Sequence, residues 1–538
     1  MNLENNVKSK TRSWLYWGIV MVLAIAVAID IFFVPKAVNY CLIGGGDSKM
    51  DEVLHLIQTY YFDDISTQEL KDEAIRGMLQ NLDPHSSYMT REEAEQVNSM
   101  MKGGFEGVGI QFNLLNDTLL VIAVTAGGPS EKVGVMAGDR ILTVDGETIA
   151  GVNISNADII KKLRGKKNTK VRIEIQRQGH EKLISFDIVR DKIAVNSINI
   201  AYEIAPQIGY ISIDNFTSTT KDEFNTALKV LLNKGMSKLI LDLRGNQGGY
   251  LDAAIAVCNE LLPRDKLIVY TYGKSVGKEK YFSNAKGLFS RENQHLVVLI
   301  DEYSASASEI VAGAVQDLDR GMVIGRRSFG KGLVQRQFYL RDSSEVLITI
   351  ARYYTPSGRC IQRPFDIAKN DNYYTDIIDR YHRGEMENQD SIQFIDSLKY
   401  ATEGGRTVYG GGGIMPDVFV PVRISDSLVY SNSLINNGIV LNYAMEYADK
   451  NRKKLNASYK NAEDYVKHFA ISESMMQEMV QRGEQAGIKP QLSNVSRKEL
   501  KKWTKAFIGR NIFGEMGFYP VINQEDEVIK KAVILIYF

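Results

Sequence analysis

The chain has 538 residues, which corresponds to three or four folding units at ~150 residues each. Its 44% apolar and 24% charged residues are typical of a globular protein, and they exclude wholesale disorder and a polytopic membrane protein. The 65 Lys and Arg residues balance 65 Asp and Glu residues, so no basic excess supports nucleic-acid binding. Three cysteines and six histidines, scattered without ligand spacing, favour neither a disulfide framework nor a metal site. We therefore expect no metal.

The N-terminus has the pattern of a membrane anchor. After a basic segment, 1–13, an apolar run at 14–34 carries a single charge, Asp30. A helix of that length just crosses a ~30 Å hydrocarbon core. The basic flank predicts a cytoplasmic N-terminus. We expect a single-pass signal-anchor in the inner (plasma) membrane of the cell envelope, with the rest of the chain on the periplasmic side.

A cleaved signal peptide is the competing interpretation, although the small residues Ala24, Ala26 and Ala28 that could mark cleavage lie in the middle of the apolar run. A lipoprotein modified at Cys41 is disfavoured because residues 38–40 lack the small side chains of such a site. The N-terminal position and the basic flank disfavour a buried core helix.

Residues 35–47 read as a linker, and 48–102 read as a helical region. From 103 to 191, short β-rich runs alternate with glycine turns around one helical stretch, Asn156–Leu163. This pattern predicts a small β-barrel module.

Residues 192–424 alternate strands and helices, which predicts an α/β core. The near-continuous apolar runs Leu239–Leu243 and Leu296–Ile300 are typical of strands buried on both faces. A polar, Tyr-rich stretch at 366–408 reads as an insertion. Residues 425–538 read as a helical domain. We expect the apolar C-terminal end of the chain to pack against the other helices of this domain. The alternative is that this end occupies a peptide-binding groove.

Ser306 follows the second apolar strand, in the segment Ser304-Ala305-Ser306-Ala307-Ser308-Glu309. A side chain at such a strand-to-helix turn is exposed, and the first N–H groups of the helix have no intrahelical partner. These conditions suit a nucleophile and an oxyanion site. The alternative is a capping box formed by Ser306 and Glu309 without catalysis.

Lys331 lies between two glycines and could act as a general base if burial lowers its pKa. A solvated turn is the alternative. No histidine lies in either segment, so lysine is the natural base candidate. Asp317 shares a helix face with Ser306, because 11 residues make about three turns; a solvated surface charge is the alternative.

A glycine-rich turn ends the first apolar strand, in the sequence LDLRGNQGG at 241–249. Glycine allows close backbone approach, as an oxyanion or substrate-contact loop requires. A plain strand-to-helix turn is the alternative. Phosphate binding is disfavoured because the chain lacks the G-K-[ST] of a P-loop.

Taken together, these motifs resemble the carboxy-terminal processing, or tail-specific, proteases of serine peptidase family S41. The resemblance covers about 48–425. It rests on ordered motifs, namely LDPHSSY at 82–88, GGFEGVGIQF at 103–112, LDLRGNQGG at 241–249, SASASEIVAGAVQD at 304–317, GKGLVQ at 330–335, YYTPSGRCIQ at 353–362 and GGIMPDV at 412–418.

The resemblance implies a multidomain α/β (α+β) fold with a crotonase-like ββα catalytic core. It implies a Ser306 nucleophile, a Lys331 base that Gln335 orients, and an acidic residue, Asp317, important in some branches of the family. The implied oxyanion region comprises Ala307, Gly248 and Gly249. Gln247 departs from the proline of many relatives, and we expect no lost function there.

The module at 103–191 resembles the family's PDZ domain, inserted before the core. The resemblance implies a carboxylate-binding loop of Gly107, Val108, Gly109 and Ile110. Arg164 lies where some relatives couple the PDZ position to the active site, with a plain surface charge as the alternative. The implied partners are proteins or peptides with apolar C-termini; a homodimer is left open.

Together with the predicted anchor, the resemblance favours a membrane-anchored serine endopeptidase that binds tails, cleaves upstream of them and requires no cofactor. A non-catalytic or partner-gated PDZ adaptor is the second hypothesis. A crotonase-like acyl-CoA enzyme is the least favoured hypothesis. Such an enzyme would need a site for adenine and phosphate, and enzymes of that type carry no Ser–Lys pair.

Overall fold

The computed structural model describes residues 49–537, apart from 116, 126, 178, 285, 366–370 and 423–424. The chain forms two units, one ending at Leu82 and the other beginning at Asp83. In the first unit, two helices are described, α1 (Lys49–Tyr60) and α2 (Thr67–Gln80). Ser66 caps α2, since its Oγ accepts the N–H of Glu69 at 3.3 Å.

The predicted membrane anchor is corrected. Its segment, 14–34, lies outside the described residues. Among the helices of the described ranges, none combines the length and the apolar composition needed to cross a membrane. The single-pass anchor and the envelope location inferred from it therefore have no support.

The second unit opens with β1 (Ser87–Met89) and α3 (Arg91–Met101). Thr90 and Glu93 form the capping box that their spacing predicts, each side chain binding the other residue's backbone N–H.

A compact β-module follows, and its apolar residues form a core of their own. Its elements are β2 (Gly104–Gly107), β3 (Ile110–Leu115), β4 (Thr118–Val124), α4 (Pro129–Val133), β5 (Arg140–Val144), β6 (Glu147–Thr148), α5 (Asn156–Leu163), β7 (Lys170–Gln176), β8 (Ile184–Val189) and β9 (Asp191–Ala194). The sheet order is β3-β4-β5-β7-β8, so β3 is an edge strand. Strands β2 and β9 pair antiparallel at the entry and exit of the module.

In the described residues, the α/β core contains two large sheets and one two-stranded sheet. Its elements are β10 (Ile198–Ala205), β11 (Ile208–Ile213), α6 (Thr220–Asn233), β12 (Lys238–Asp242), α7 (Leu251–Leu261), β13 (Leu267–Gly273), β14 (Gly277–Phe282), β15 (His295–Ile300), α8 (Ala307–Asp317), β16 (Met322–Gly325), β17 (Leu333–Tyr339), β18 (Glu345–Tyr354), α9 (Asp371–His382), β19 (Lys399–Ala401), β20 (Thr407–Tyr409) and β21 (Val418–Phe419). The insertion predicted at 366–408 thus contains regular structure.

The central sheet has the order β10-β11-β12-β15-β16-β21, and it is parallel from β11 onward. Alternate residues of its inner strands enter different cores because strand side chains alternate between faces. Leu239 and Leu241 pack with α6, α7 and α8, whereas Ile240 belongs to the core on the other face. This explains the near-continuous apolar run at 239–243. The second sheet is antiparallel, with the order β1-β18-β13-β14 and β17 also paired to β18.

The predicted helical C-terminal region is confirmed. Its helices are α10 (Val429–Asn436), α11 (Ile439–Ser458), α12 (Ala462–His468), α13 (Glu473–Gln485), α14 (Asn494–Phe513), α15 (Glu515–Asn523) and α16 (Glu527–Leu535). Helices α10–α15 share a core. The expectation that the apolar tail packs on this domain is corrected, because Val528, Ile529 and Ala532 of α16 are buried against the second face of the central sheet.

Candidate active site

The site forms where loops leave the carboxyl ends of the neighbouring strands β12 and β15. Leu243 N–H donates to the carbonyl of Leu299 at 3.0 Å, and Ser304 Oγ donates to the carbonyl of Leu243 at 2.8 Å. Because parallel neighbours end at the same sheet edge, the Gly-rich loop and the serine segment meet there.

Ser306 is the N-cap of α8 and has a φ of +55°. A positive φ is costly for a residue with a side chain and is a feature of functional sites. Gly248 packs directly against it, since a Cβ on Gly248 would lie 2.8 Å from Ser306 Cβ and 3.1 Å from Ala307 N. Only glycine fits this close approach.

Glu309 joins the serine segment to the lysine segment. Its Oε2 accepts the N–H of Ser306 at 2.8 Å and the N–H of Lys331 at 2.9 Å. Its Oε1 accepts the hydroxyl of Ser328 at 2.5 Å and the N–H of Gly330 at 2.7 Å. The side chain is fully buried, and this desolvation raises the pKa of Glu309 to about 7 against the opposing effect of these hydrogen bonds.

Tyr353, from the YYTPSGRCIQ motif, makes a second bridge between the same two residues. Its hydroxyl lies 3.0 Å from the carbonyl of Ser306 and also contacts the carbonyl of Lys331. The backbones of Ser306 and Lys331 are thus joined on the N–H side by one carboxylate and on the carbonyl side by one phenol. The ring is buried, which raises the pKa of the Tyr353 hydroxyl and keeps it protonated.

Burial lowers the pKa of Lys331, although the nearby carboxylates of Glu309 and Asp83 act in the opposite direction. The ammonium is desolvated more than it is compensated, so the neutral amine is favoured relative to a lysine in water. This is the condition under which a lysine can accept a proton.

The LDPHSSY loop lies close to Lys331. The Asp83 carboxylate accepts the N–H groups of His85 and Ser86 and the hydroxyl of Ser86. His85 Nε2 lies 2.8 Å from the hydroxyl of Tyr373. Burial and the positive charge of Lys331 lower the pKa of His85 to about 4, so the imidazole is neutral near pH 7.

Gln335 lies on β17 opposite Thr349 of β18. Its Nε2 donates to Thr349 Oγ1 at 3.3 Å, and Thr349 Oγ1 donates to Asp83 Oδ1 at 3.0 Å. The structure therefore joins Gln335 to the Asp83 loop beside Lys331.

The three predicted oxyanion residues differ in their surroundings. Ala307 is the first residue of α8, so its N–H has no intrahelical partner. The N–H of Gly248 donates to Asn246 Oδ1 at 2.8 Å and is therefore engaged. Gly249 is exposed and approaches Phe216 so closely that a Cβ would lie 2.0 Å from the Phe216 carbonyl oxygen.

The structure does not bring Asp317 to this centre. It lies at the opposite end of α8 from Ser306, about 16 Å away at 1.5 Å per residue. Its carboxylate accepts Arg359 Nη2 at 2.6 Å and the N–H of Ser357 at 3.1 Å. Both partners of the ion pair are buried, so the solvated charge considered from sequence is not what is found.

A cavity of about 420 Å³ lies between β3 and α5 of the β-module. Val108, Gly109, Ile110 and Arg164 line it, and Gly107 ends the preceding strand β2. The other lining residues include the apolar side chains of Phe105, Phe112, Ile160 and Leu163. The guanidinium of Arg164 stacks on the ring of Phe105 at 4.5 Å, and burial lowers the pKa of Arg164.

Sequence reasoning gave no catalytic part to Glu309, Tyr353, Asp83 or His85. The signal that could have identified them was present, because all four fall in motifs that carried the resemblance. Glu309 was considered only as the second half of a capping box. Its bonds to Gly330 and Lys331 depend on contacts across 21 and 22 residues, which spacing along one helix does not reveal.

The profile of peptidase family S41 matches residues 207–370. A carboxy-terminal-processing protease of Bartonella bacilliformis is 38% identical over 319 residues, which cover 59% of this chain and 72% of that protein. This chain belongs to the carboxy-terminal processing proteases of peptidase family S41. It is thus a tail-specific serine protease, as the sequence motifs predict.

A second relative agrees with this family. The carboxy-terminal processing protease CtpB of Bacillus subtilis is 32% identical over 335 residues, 61% of this chain and 68% of that protein. The solved structure of a photosystem II D1 C-terminal processing protease covers 74% of this chain and 91% of that chain at 26% identity, with a TM-score of 0.35.

Three more family profiles match this S41 protease. The PDZ domain profile matches 107–188, and the profile of the activating protease CtpB N-terminal domain matches 42–93. A family of unknown function matches 430–514, within the C-terminal helices.

Proposed function

We propose that Ser306 is the nucleophile of this protease and Lys331 its general base. The observation that carries the proposal is the double bridge between them: the Glu309 carboxylate binds both N–H groups, and the Tyr353 hydroxyl contacts both carbonyl oxygens. Such a frame fixes the relative position of two chain segments before substrate arrives, and preorganisation of this kind lowers the barrier to reaction.

In this mechanism, the neutral amine of Lys331 accepts the proton of Ser306 Oγ as the oxygen attacks the substrate carbonyl. The N–H of Ala307 stabilises the oxyanion, and the exposed backbone at Gly249 is the second candidate donor. Lys331 then protonates the leaving amine, and it activates the water that hydrolyses the acyl-enzyme. Gln335 helps to position Lys331 through the Thr349 and Asp83 network. No cofactor enters these steps.

The test is cleavage of an unstructured reporter by the full chain and three variants. We expect Ser306→Ala and Lys331→Arg to lose at least ~10³-fold in kcat, because arginine keeps the charge but cannot release its proton. Lys280→Ala, on exposed β14, is the matched control and should cleave normally. Turnover by Ser306→Ala, or by Lys331→Arg at the wild-type rate, would overturn the assignment.

We further propose that the PDZ groove selects apolar C-terminal tails. The apolar lining of the cavity and the position of β3 at the edge of the described sheet support this, since a peptide can add as a strand while backbone N–H groups of the Gly107–Ile110 loop bind its carboxylate.

Two reporters that differ only in their last residues test the selection. With an apolar tail in place of an acidic one, we expect KM to be at least about tenfold lower, and Ile160→Asp in the groove should abolish the difference. Equal KM values for both tails in the wild-type chain would contradict the proposal. If the wild-type chain and its variants bind the tail but none of them cleaves a reporter, the adaptor hypothesis is favoured instead.

A further inference from the structure

The last helix of the chain begins at a residue that binds the active-site loop. Asp526 is the N-cap of α16, and its Oδ1 accepts the N–H groups of Val528 at 2.9 Å and Ile529 at 3.0 Å. Its other oxygen, Oδ2, accepts Nη1 of Arg244 at 2.8 Å. One carboxylate therefore both starts the helix and binds the loop that follows β12.

Arg244 is held between two carboxylates. Its Nη1 donates to Asp526, whereas its Nε and Nη2 donate to Asp242, with Nη2 at 2.6 Å from Oδ2. Asp242 is buried and also accepts the hydroxyl of Tyr210 at 2.7 Å. The Arg244 side chain is 20% exposed, so these charge-assisted bonds form in a largely desolvated place, where they are stronger than surface pairs.

The loop that begins at Arg244 contacts the segment that carries Ser306. Asn246, two residues later, is buried, and its carbonyl accepts the N–H of Ala305 at 2.9 Å and the hydroxyl of Ser308 at 2.9 Å. Its side chain binds the N–H of Gly248, the glycine that packs against Ser306. The loop is thus bound at one end by Asp526 and at the other by the residues on either side of Ser306.

We propose that Asp526 is a positioning residue for proteolysis. Through Arg244 it holds the loop at 244–249 against Ser306, so the seating of the C-terminal domain on the central sheet sets the geometry of the oxyanion site. This inference rests on the proposed role of Ser306, and it gives the C-terminal region a part in catalysis. The seat of α16 does not depend on the ion pair alone, because Val528, Ile529 and Ala532 are buried in the sheet's second core.

The test compares three variants of the full chain. Asp526→Asn keeps an equally good N-cap but loses the charge opposite Arg244. Asp526→Glu keeps the charge, and Glu527→Gln removes one negative charge from the next position. For each we would measure kcat and KM with the tailed reporter, the rate of Ser306 labelling by a fluorophosphonate, and the thermal unfolding midpoint.

For Asp526→Asn, we expect kcat and the labelling rate to fall together by about tenfold, with KM within twofold of wild type, because the loop contributes to the transition state and not to tail binding. The unfolding midpoint should stay close to that of the wild-type chain. Asp526→Glu should recover part of the rate, and Glu527→Gln should match wild type.

Wild-type kcat and labelling in Asp526→Asn would overturn the inference while leaving the proposed nucleophile intact. A fall in kcat matched by Glu527→Gln, or explained wholly by a lower unfolding midpoint, would also overturn it. If the wild-type chain is neither labelled nor active, the proposed roles of Ser306 and Lys331 fail, and the inference fails with them.

Discussion

Glu309 is the residue on which the site geometry converges. As a carboxylate it accepts four hydrogen bonds, from Ser306, Ser328, Gly330 and Lys331. A protonated carboxyl would have to donate its proton and would lose part of this acceptor capacity. The ionised form therefore supports the proposed catalytic geometry, although burial disfavours it.

The stability of the fold should depend on pH through this residue. Below pH 4.5 the Glu309 carboxyl is protonated in both the folded and unfolded states, and between 4.5 and about 7 it is protonated only in the folded state. A raised folded-state pKa in an acid means that stability is lost as pH rises through that interval. At 1.36 kcal/mol per pH unit, the loss is about 3 kcal/mol.

Urea unfolding of wild type and Glu309→Gln at pH 4.5 and pH 8 measures this dependence. We expect the free energy of unfolding of wild type, minus that of the variant, to fall by ~3 kcal/mol between the two pH values, because other groups titrate alike in both proteins. A difference that does not change with pH would contradict the assigned pKa. At pH 8, Glu309→Gln should also lose at least ~10-fold in kcat, since an amide offers one acceptor oxygen where the carboxylate offers two.

Helix α8 carries a different polar arrangement at each of its two ends. Its N-terminal end presents Ser306 to the Gly-rich loop, and its C-terminal end buries the Asp317–Arg359 ion pair. Arg359 Nη2 also donates to Gln316 Oε1 at 2.7 Å, and its Nη1 donates to the carbonyl of Tyr409 at 3.0 Å. Asp317 is thus the charged one of three acceptors for a guanidinium with no exposed side-chain surface. This arrangement indicates a structural role for Asp317.

We expect Asp317→Asn to lower the free energy of unfolding by about 3–5 kcal/mol, because it leaves a buried guanidinium without its counter-charge. Asp319→Asn is the control: Asp319 pairs with the more exposed Arg406, and its change should cost at most ~1 kcal/mol. Reporter cleavage per folded molecule, with the folded fraction taken from the unfolding curve, should stay near wild type in both. A folded Asp317→Asn protein that does not cleave would instead support the catalytic role that the family resemblance implies.

At the scale of the whole molecule, the C-terminal helices contact both the PDZ module and the protease core. At the core, Asn523 Nδ2 donates to the hydroxyl of Tyr202 at 3.0 Å, and Asn199 Nδ2 donates to Tyr519 at 2.9 Å. At the PDZ module, Gly138 lies against the carboxylate of Asp449 on α11. Asp449 also binds Arg452 at 2.9 Å, and its burial raises the pKa of the Asp449 carboxyl.

Gly138→Ala tests the PDZ contact, since its Cβ would lie 1.9 Å from Asp449 Oδ2. Gly146→Ala is the matched control, because Gly146 has a similar positive φ but no atom within 4 Å of the added Cβ. We expect Gly138→Ala to lose ~1–3 kcal/mol more stability than the control in thermal or urea unfolding. A second change, Asp449→Ala, should recover part of that loss. Equal losses in the two glycine variants would show that the contact carries no energy.

Much of this protein could be predicted from local patterns. Near-continuous apolar runs at 239–243 and 296–300 predict strands buried on both faces, since each strand's alternate side chains must enter a core. The ordered motifs are long enough to indicate the S41 family, the PDZ module and the serine and lysine segments. These properties can be predicted from the sequence because each depends on residue spacing within one element or on a motif of consecutive residues.

The remaining features depend on contacts between distant segments. Spacing places Asp317 on the helix face of Ser306 and about three turns away from it, but only packing shows that Arg359 lies beside Asp317 and buries it. The seat of α16 on the protease sheet, and not on its neighbouring helices, follows from an apolar sheet face that no pattern within 527–535 reveals. The four hydrogen bonds of Glu309 and the bond between Asp526 and Arg244 join residues far apart along the chain. Side-chain partners of this kind are selected by burial, because a desolvated charge is stable only where tertiary structure supplies its donors or acceptors.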